Sequence, residues 1–540
     1  MNKTQKILLT LVSGVLLALS WPGIGGFSPL LFIAFVPILF LEDYIFRSGR
    51  GSTYGLTFLT FVLFNGLSAY WLYMVTEGLE TKLSLYIFVV MFNASLMALV
   101  FHFFHYTRVK IGSKQGYIGL ILYWIAFEYL HFHWELTWPW MTLGNGFANT
   151  VQWIQWYEYT GVFGGSIWVL IVNILIFKIL DKAITQHAPI IESRINIISL
   201  ILCLLVPISF SMFTYSNYTE KENPVAITII QPNVDPYYEK YSLTFDEQLN
   251  SMLSLVNYDQ LNKSDYLIAP ETAMTEDIWE NDLDRSNSIP IIKNIIADHP
   301  QLNFVSGLTS YYLFEDDEEI SSTARHFHNN NRSYDAYNSA MQINSSGKIE
   351  FYHKSKLVQG VEKMPFASFL KPFENLALDL GGTTGSLGSQ ENAEVFISHD
   401  GKTKIAPVIC YESIYGEYVS EYVNAGANLI FILTNDGWWD DGPGYLQHLA
   451  YARLRAIETR RSIARSANTG ISCFINQRGD HIQTASWWTA ETLHAELNSN
   501  DTLTFYTIHG DYLGRIAAFT AIILLLYSLA KSIYDRKRVS

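Results

Sequence analysis

The segment that organises this chain reads Lys404-Ile405-Ala406-Pro407-Val408-Ile409-Cys410-Tyr411-Glu412-Ser413-Ile414-Tyr415-Gly416-Glu417. Its apolar first half predicts a buried strand, and the amphipathic pattern after the cysteine predicts a helix. Cys410 would therefore lie at the carboxyl end of a strand, where ligands bind in open α/β sheets. A helix N-terminus there would favour its thiolate. A small buried core residue is the alternative interpretation of a lone cysteine in a strand.

Two further polar residues follow predicted strands. Asp265 to Ala269 has the pattern of a strand that stops at a proline, and this proline stiffens the backbone before Glu271. A strand predicted over Lys348 to Tyr352 is followed closely by Lys354. Because strands and helices alternate from residue 225 onward, the sequence predicts an α/β layered domain. Glu271, Lys354 and Cys410 thus terminate three separate predicted strands.

These three residues could together perform nucleophilic catalysis. A cysteine nucleophile must lose its proton, and the oxyanion of its tetrahedral intermediate must be stabilised. Glu271 can take the proton and later return it to the leaving group. Lys354 can stabilise the oxyanion, helped by the backbone N–H of Tyr411. Taken singly, Glu271 could instead be a surface turn carboxylate, and Lys354 a solvated charge at a strand end.

Membrane spans are predicted outside this domain. Aromatic residues make up 15% of the chain and the mean hydropathy is +0.13, both high for a soluble protein. A membrane-spanning helix needs roughly 20 apolar residues. The sequence contains eight such runs, near residues 6–22, 28–45, 53–75, 83–106, 115–133, 161–181, 195–215 and 512–532. The predicted fold is therefore a polytopic α-helical membrane domain of eight spans plus an α/β extracytoplasmic domain.

Basic residues set the predicted orientation. Lysines and arginines gather at alternate ends of the spans, and the positive-inside rule assigns those ends and both termini to the cytoplasm. Residues 1–223 are predicted to form seven transmembrane helices, and residues 224–506 an extracytoplasmic catalytic domain. Residues 507–540 would then form the eighth transmembrane helix and a basic cytoplasmic tail.

The outer domain is acidic. Residues 225–505 hold 19 lysines and arginines against 37 aspartates and glutamates, whereas the net charge of the whole chain is −14. Such a field disfavours nucleic acid and gives no long-range attraction to an anionic lipid surface. Three cysteines do not make a disulfide framework, and no histidine or cysteine cluster predicts a metal or cofactor site.

Three motifs carry a resemblance to a known superfamily. They are Asp265-Tyr266-Leu267-Ile268-Ala269-Pro270-Glu271, Tyr352-x-Lys354-x-x-Leu357-Val358 and Val408-Ile409-Cys410-Tyr411-Glu412. Together they resemble the glutamate, lysine and cysteine motifs of the carbon-nitrogen hydrolase (nitrilase) superfamily. The resemblance implies an αββα sandwich with Glu271, Lys354 and Cys410 as the catalytic residues.

Other segments resemble the apolipoprotein N-acyltransferase family of that superfamily. They are Trp138-Pro139-Trp140-Met141, Gln231-Pro232-Asn233, Thr434-Asn435-Asp436-Gly437-Trp438, Ala452-Arg453-x-Arg455-Ala456-Ile457-Glu458 and Gly510-Asp511. The resemblance covers nearly the whole chain and implies a multi-pass enzyme of the bacterial inner membrane, with its catalytic domain on the periplasmic side. Its implied partners are a phospholipid acyl donor and a diacylated apolipoprotein, whose N-terminal diacylglyceryl-cysteine accepts the acyl chain on its α-amino group.

The resemblance also implies roles for individual residues. Cys410 would carry the acyl chain as a thioester in a ping-pong reaction, and Glu271 would move protons in both steps without a cofactor. The residues that would organise the site are Glu362, Tyr411 and Glu412. The candidates for contact with substrate or lipid are Trp140, Asn435, Trp438 and Trp439.

The sequence departs from the family pattern at two places. After its lysine motif the family usually continues as Leu-Val-Pro-Phe-Gly-Glu, whereas this chain reads Leu357-Val358-Gln359-Gly360-Val361-Glu362. The glutamate keeps its spacing without the rigid Pro-Phe-Gly, and residues 359–380 are interpreted as a loop or lid. An aromatic residue expected soon after the Gln-x-Asn turn is displaced. The candidates to replace it are Tyr237, Tyr238 and Tyr241.

Five arginines lie in or after a helix predicted over Tyr445 to Arg461. We interpret most of them as a solvated helix face or as structural partners of Glu458, rather than as a phosphate patch. They are Arg453, Arg455, Arg460, Arg461 and Arg465.

Two other functions stay open at this point. A membrane-anchored amidase or nitrilase would use the same three catalytic residues with water as the acceptor, and it would need only one span. A receptor or scaffold without enzymatic activity would tolerate loss of the Cys410 thiol. Eight spans favour the transferase, because it needs lateral access to substrates that lie in the bilayer.

Overall fold

The computed structural model of the protein describes residues 1–74, 78–240, 242–327, 332–366 and 386–539. Helices dominate the chain before residue 218, and the residues described between 224 and 498 contain two β-sheets. The predicted loop or lid over residues 359–380 falls outside the described residues from position 367 onward, and Tyr241 falls outside them as well.

The N-terminal region is built from helices packed around aromatic rings. Its α-helices are α1 (Lys3–Ser20), α2 (Val36–Ser48), α3 (Tyr54–Ser68), α4 (Leu79–Lys110), α5 (Ser113–His133), α6 (Tyr157–Leu180) and α7 (Arg194–Asn217). At their centre the Phe35 ring lies 5.0 Å from that of Trp124 and 6.1 Å from that of Phe101. Such aromatic pairs stabilise the fold by more than the burial of their apolar area alone.

Among the described residues, six helices are long and apolar enough to cross a membrane. They are Lys3–Ser20, Ser28–Ser48, Leu79–Lys110, Tyr157–Thr185, Ile190–Asn217 and Tyr512–Arg538. The third predicted run contains α3, an apolar helix of only 15 residues, and the fifth coincides with α5, which is not one of the six. Several apolar helices of membrane-spanning length are thus confirmed, while the count of eight spans stays a prediction.

The strands are β1 (Pro224–Gln231), β2 (Tyr266–Ile268), β3 (Met274–Trp279), β4 (Asn303–Leu313), β5 (Arg325–His326), β6 (Ser333–Ile343), β7 (Ile349–His353), β8 (Phe396–Ile397), β9 (Lys404–Ile409), β10 (Leu429–Thr434), β11 (Ile463–Ala467), β12 (Cys473–Ile475), β13 (His481–Thr484) and β14 (Glu491–Asn498). In the described residues the first sheet has the order β14-β1-β2-β4-β6-β5, with β3 beside β4 and β7 beside β6. The second sheet has the order β13-β12-β11-β10-β9-β8.

Strand direction brings several carboxyl ends to one edge. In the first sheet β2 and β4 are parallel, and β7 runs the same way because β6 is antiparallel to both β4 and β7. In the second sheet β9, β10 and β11 are parallel. Ligand sites form beyond the carboxyl ends of parallel strands. Glu271, Lys354 and Cys410 follow the ends of β2, β7 and β9.

The two sheets pack face to face. The rings of Tyr266 in β2 and Phe431 in β10 meet edge to face with centroids 5.0 Å apart. The hydroxyl of Ser466 in β11 donates to the carbonyl oxygen of Ile230 in β1 over 2.9 Å. The predicted α/β layered domain is therefore confirmed.

Helices cover the outer faces of the sheets. They are α8 (Phe245–Ser254), α9 (Tyr258–Leu261), α10 (Ser288–Asp298), α11 (Gly416–Asn424) and α12 (Gly444–Thr459), and they are followed by α13 (Phe505–His509) and α14 (Tyr512–Val539). Leu249 and Met252 of α8 and Ile292 of α10 share a core with Phe304 of the first sheet. α11 packs against β9 of the second sheet, and α12 packs against α6.

The region after α12 ties the sheets to the apolar helices. α6 is interrupted at Gly161, whose φ is 57°, and a Cβ at this position would lie 2.3 Å from the Tyr506 ring. Only glycine fits such a conformation and approach. Arg460, directly after α12, donates to Glu158 Oε2 over 2.8 Å and to Gln155 Oε1 over 2.6 Å.

The prediction of a solvated arginine face is wrong for four of the five arginines. Arg455, Arg460, Arg461 and Arg465 are buried. Their guanidinium groups donate to buried acceptors, such as the carbonyl oxygens of Ile414 for Arg455 and Ala427 for Arg461. Arginine satisfies several acceptors at once with its five donors, which offsets the cost of burial. The predicted pairing with Glu458 is confirmed for Arg455, at 2.8 Å.

Candidate active site

Cys410 lies where β9 turns into the short helical segment Cys410–Ile414. Its φ is 48°, in the left-handed region, which costs a non-glycine residue roughly 1–3 kcal/mol. Two donors hold this turn through the Cys410 carbonyl oxygen, namely Ser413 Oγ at 2.8 Å and His448 Nε2 at 3.1 Å. The strained turn therefore fixes the position of the cysteine.

The Cys410 thiol is 8% exposed and is not the ready thiolate that the sequence predicted. Burial raises its pKa well above the ordinary value, the charge of Glu271 raises it further, and Lys354 only partly opposes them. Burial outweighs any effect of a helix N-terminus, since the charged form loses its water. Attack by this sulfur at neutral pH needs a base that removes the proton.

Lys354 and Glu271 lie in direct contact. Lys354 is 1% exposed, and its Nζ lies 3.1 Å from Glu271 Oε1 and 2.9 Å from Glu362 Oε1. Burial alone would lower the pKa of Lys354, but the carboxylates of Glu271 and Glu362 hold it well above its ordinary value. Lys354 is therefore a permanent cation at this site.

Asn338 in β6 joins the two carboxylates. Its Nδ2 donates to Glu271 Oε1 over 2.8 Å and to Glu362 Oε1 over 2.7 Å. The backbone N–H of Lys354 donates to the Asn338 carbonyl oxygen over 2.8 Å. Asn338 is not recognisable from the sequence, because a lone asparagine inside a strand carries no motif.

Glu362 reaches the site although its local sequence departs from the family pattern. Its Oε2 accepts from the backbone N–H of Val358 over 2.8 Å, and its own N–H donates to the Val358 carbonyl oxygen over 2.9 Å. Gly360 has a φ of 80°, which suits glycine and closes this tight turn. The segment Gln359-Gly360-Val361 thus forms a turn that directs Glu362 at Lys354.

Glu412 connects two of the site-bearing turns. Its carboxylate is fully buried and accepts from the backbone N–H groups of Ser355 and Ile409, at 2.7 and 2.8 Å, and from the Tyr352 hydroxyl at 2.7 Å. These bonds tie the turn after β7 to the end of β9. Buried acceptors of this kind are expensive to leave unpaired, so Glu412 fixes the relative position of Lys354 and Cys410.

A cavity of about 560 Å³ opens in front of these residues. Its lining combines Glu271, Lys354, Glu362, Cys410 and Tyr411 of the sheet domain with residues of the apolar helices. The Tyr411 hydroxyl donates to the Thr137 carbonyl oxygen over 3.2 Å, and burial raises the pKa of Tyr411 to about 12. The cavity therefore has walls from both parts of the molecule.

Tryptophans form part of that lining. Trp140, Trp438 and Trp439, three of the predicted substrate- or lipid-contact residues, line the cavity. Trp71, which belongs to none of the sequence motifs, packs between the rings of Trp140 and Trp439 at 5.0 Å from each. Its position in the long apolar run 53–75 concealed it, since tryptophan is common at membrane interfaces.

Asn435 has a different position from the tryptophans. It is buried, and its backbone N–H donates to Glu271 Oε2 over 3.1 Å. Of the three tyrosines that could replace the displaced aromatic, Tyr237 donates from its hydroxyl to the Trp438 carbonyl oxygen over 2.9 Å. Tyr238 is exposed, and Tyr241 lies outside the described residues.

His448 supports the Cys410 turn from behind. Its Nδ1 lies 3.0 Å from Asp436 Oδ1, and Arg465 donates to the same carboxylate over 2.5 Å. Burial would raise the pKa of Asp436, but Arg465 and His448 hold it below its ordinary value. Within the described residues no group of three or more His, Cys, Asp or Glu side chains is arranged to hold a metal ion.

Two family matches cover most of the chain. Residues 13–175 match the apolipoprotein N-acyltransferase N-terminal domain, and residues 227–505 match the carbon-nitrogen hydrolase domain. The chain belongs to the apolipoprotein N-acyltransferase family of carbon-nitrogen hydrolases. Family membership confirms the superfamily predicted from the three motifs and the family predicted from the other segments, and it makes the protein an acyltransferase with a nitrilase-like α/β domain.

Curated apolipoprotein N-acyltransferases align with almost the full length of the chain. The protein from Chlorobaculum tepidum is 27% identical over 550 residues, which cover 98% of this chain and 97% of the relative. Those from Geobacter metallireducens and Haemophilus influenzae are 28% and 25% identical, each covering 98% of this chain and 96% and 95% of the relative. The bacterial relatives and the apolar helices together indicate a multi-pass bacterial membrane protein.

Proposed function

We propose that this acyltransferase N-acylates the N-terminal diacylglyceryl-cysteine of lipoproteins, with a phospholipid as the acyl donor and a thioester on Cys410 as the intermediate. The observation that carries the proposal is the shared cavity. A nucleophile, a carboxylate and a permanent cation line one space together with side chains of apolar helices. A hydrolase of water-soluble amides would gain nothing from such walls.

In the first half-reaction Glu271 removes the Cys410 proton while the sulfur attacks the ester carbonyl carbon of the phospholipid. The oxyanion that forms is stabilised by the Lys354 ammonium and by the backbone N–H of Tyr411. When the C–O bond to glycerol breaks, Glu271 gives its proton to the departing oxygen. A lysophospholipid leaves, and the acyl chain stays on sulfur.

In the second half-reaction the neutral α-amino group of the lipoprotein attacks the thioester carbon. Its surplus proton passes to Glu271 as the tetrahedral intermediate forms over Lys354. The C–S bond then breaks, Glu271 returns the proton to sulfur, and an amide and the free thiol result. Glu362 and Asn338 hold Glu271 and Lys354 in place through both steps, and Glu412 holds the turns that carry Lys354 and Cys410.

The membrane helices supply the place for the acyl chain. Leu85, Phe88, Val89 and Phe92 of α4 line the cavity, and Phe88 is 53% exposed on the helix surface. An apolar, water-poor cavity limits hydrolysis of the thioester and lets a lipid approach from the side. We further propose eight spans in the bacterial inner membrane, an αββα catalytic domain of residues 224–506 on the periplasmic side, and both termini in the cytoplasm, as the distribution of basic residues predicts.

A transfer assay with the full-length purified protein tests this function. With acyl-labelled phospholipid and a synthetic diacylated lipopeptide, we expect label in amide linkage on the peptide N-terminus. Cys410→Ala should give none, whereas Cys203→Ala, which changes a partly exposed thiol in α7, should act like the wild type. Release of labelled fatty acid without amide product in the wild type would favour the hydrolase alternative and refute the transfer.

A further inference from the structure

The cavity in front of Cys410 is lined by two kinds of side chain. The aromatic and aliphatic residues of α4, with Trp71 and Leu72, provide an apolar part that suits an acyl chain. A polar part comes from Lys240, Thr272, Thr275, Asp277 and Thr309. Thr272 directly follows Glu271, so the polar part adjoins the catalytic carboxylate.

Lys240 is a cation whose charge is not neutralised by an ion pair. Lys354 shares its charge with two carboxylates, but Lys240 has no carboxylate within 4.0 Å in the described part of the chain. Its Nζ donates to Thr272 Oγ1 over 2.6 Å and lies 5.8 Å from the centre of the Trp438 ring. An ammonium has three donors, so two of them remain available to a ligand.

Two hydroxyl groups of the same cavity lining have hydrogen-bonding capacity for the same ligand. Thr272 Oγ1 accepts from Lys240 and keeps its own proton to donate. Thr275, the second residue of β3, lines the same cavity, and its buried Oγ1 has no hydrogen-bond partner among the described residues. Burial lowers the pKa of Lys240 to about 8, while Glu271 opposes that shift. A bound anion would restore its full charge.

We infer that Lys240, with the hydroxyls of Thr272 and Thr275, binds the phosphodiester of the acyl donor. The inference rests on the function proposed above. In a phospholipid the scissile ester and the phosphate are attached to one glycerol, so a phosphate site must lie near the catalytic carboxylate, and Lys240 meets this requirement. A half-buried ammonium with spare donors favours a phosphate oxygen strongly. Lys240 then selects phospholipids over uncharged glycerolipids as donors.

Acylation of Cys410 by two different donors distinguishes phosphate binding by Lys240 from a general effect of Lys240 on catalysis. The first donor is a diacyl phospholipid, and the second is a p-nitrophenyl ester of the same fatty acid, which has no phosphate. For Lys240→Gln we expect the ratio of the phospholipid rate to the p-nitrophenyl ester rate to fall at least about tenfold, through a higher KM. Lys240→Arg should retain most of the ratio, and Lys263→Gln, a matched change at an exposed lysine, should leave it unchanged.

An equal loss with both donors would overturn the inference, since Lys240 would then act through Thr272 and Glu271 instead. An unchanged ratio would overturn it as well. If the wild type accepted neither donor, the proposed function itself would fail, which is a different result.

Protection of Lys240 in the wild-type protein gives a second test that needs no variant. Reductive methylation followed by mass spectrometry should show Lys240 shielded in phospholipid micelles but not in diacylglycerol-containing detergent micelles, with Lys263 as the internal control. Equal methylation of Lys240 in both would contradict the inference. Shielding by inorganic phosphate alone would indicate a free-anion site and would also contradict it.

Discussion

Glu271 is the residue on which both half-reactions of the proposed mechanism depend. Its two carboxylate oxygens accept from Lys354, from Asn338 and from the backbone N–H of Asn435. These donors fix its orientation in front of a thiol that does not ionise by itself. We therefore expect Glu271→Gln to form the Cys410 thioester about 100-fold more slowly or worse, because general acid–base catalysis contributes about that much. Rapid-quench measurement of acyl-enzyme from labelled phospholipid would record the rate.

The matched control for that substitution is Glu496→Gln, which removes a carboxylate from an exposed position in β14. It should form the thioester at the wild-type rate. Thioester formation by Glu271→Gln at the wild-type rate would remove Glu271 from the mechanism.

The motif residues were predictable from sequence, but their supports were not. Glu271, Lys354 and Cys410 follow strand ends, and strand ends are visible as apolar runs that stop. Asn338 is equally central to the geometry, yet it is a neutral residue in the middle of a long strand. Its role depends on the register of β6 with β4 and β7, which a single sequence does not contain.

At the scale of elements, the start of α14 is joined to the catalytic domain through a buried carboxyl group. Asp511 accepts from the Tyr506 hydroxyl over 2.6 Å, and it lies just before the last apolar helix. Burial raises the pKa of Asp511 to about 6, and Glu417 raises it too, against the Tyr506 hydroxyl, His133 and Arg455. Compared with the unfolded chain, the folded protein therefore binds this proton more tightly.

This raised pKa predicts how stability depends on pH. The stabilising contribution of the Asp511 proton to the free energy of unfolding is complete below the pKa of the unfolded acid, about 4. This contribution is lost as pH rises through about 6. Asp511→Asn should remove a penalty of up to about 3 kcal/mol at pH 8 and none at pH 4. The unfolding temperature from tryptophan fluorescence, variant minus wild type, should thus be higher at pH 8 than at pH 4.

Asp298→Asn is the matched control, because Asp298 is exposed at the end of α10. The unfolding temperature of Asp298→Asn minus that of the wild type should not show the rise from pH 4 to pH 8 that is expected for Asp511→Asn. If the unfolding temperature of Asp511→Asn differed from that of the wild type by the same amount at pH 4 and pH 8, the raised pKa of Asp511 would be contradicted.

Elements with clean periodicity were predicted well, and those without it were missed. β2, β7 and β9 fall on apolar or alternating runs close to the predicted ranges. β13 and β14 were missed, since His481–Thr484 is exposed throughout and Glu491–Asn498 is rich in helix-forming residues. β14 becomes a strand because it pairs antiparallel with β1 over eight residues, a contact that joins distant parts of the chain.

At the scale of the whole molecule, the membrane helices and the sheet domain build one site. Gln447 of α12 accepts from the indole N–H groups of Trp71 and Trp140, which belong to the helical region. Arg460 adds a second tie through Glu158 and Gln155. The cavity wall in front of Cys410 therefore forms only when both regions are assembled. Sequence motifs predicted a chemistry for the sheet domain and apolar helices before it, but not this shared wall.

The most direct test of Cys410 as the acyl carrier is the intact mass of the full-length protein incubated with phospholipid and no acceptor. We predict a mass increase of one acyl chain, located on the peptide that contains Cys410 and released by hydroxylamine. The adduct should be absent from Cys410→Ala and present in Cys203→Ala. An adduct that persists in Cys410→Ala, or a wild-type protein that gains no acyl mass from phospholipid, would contradict the thioester.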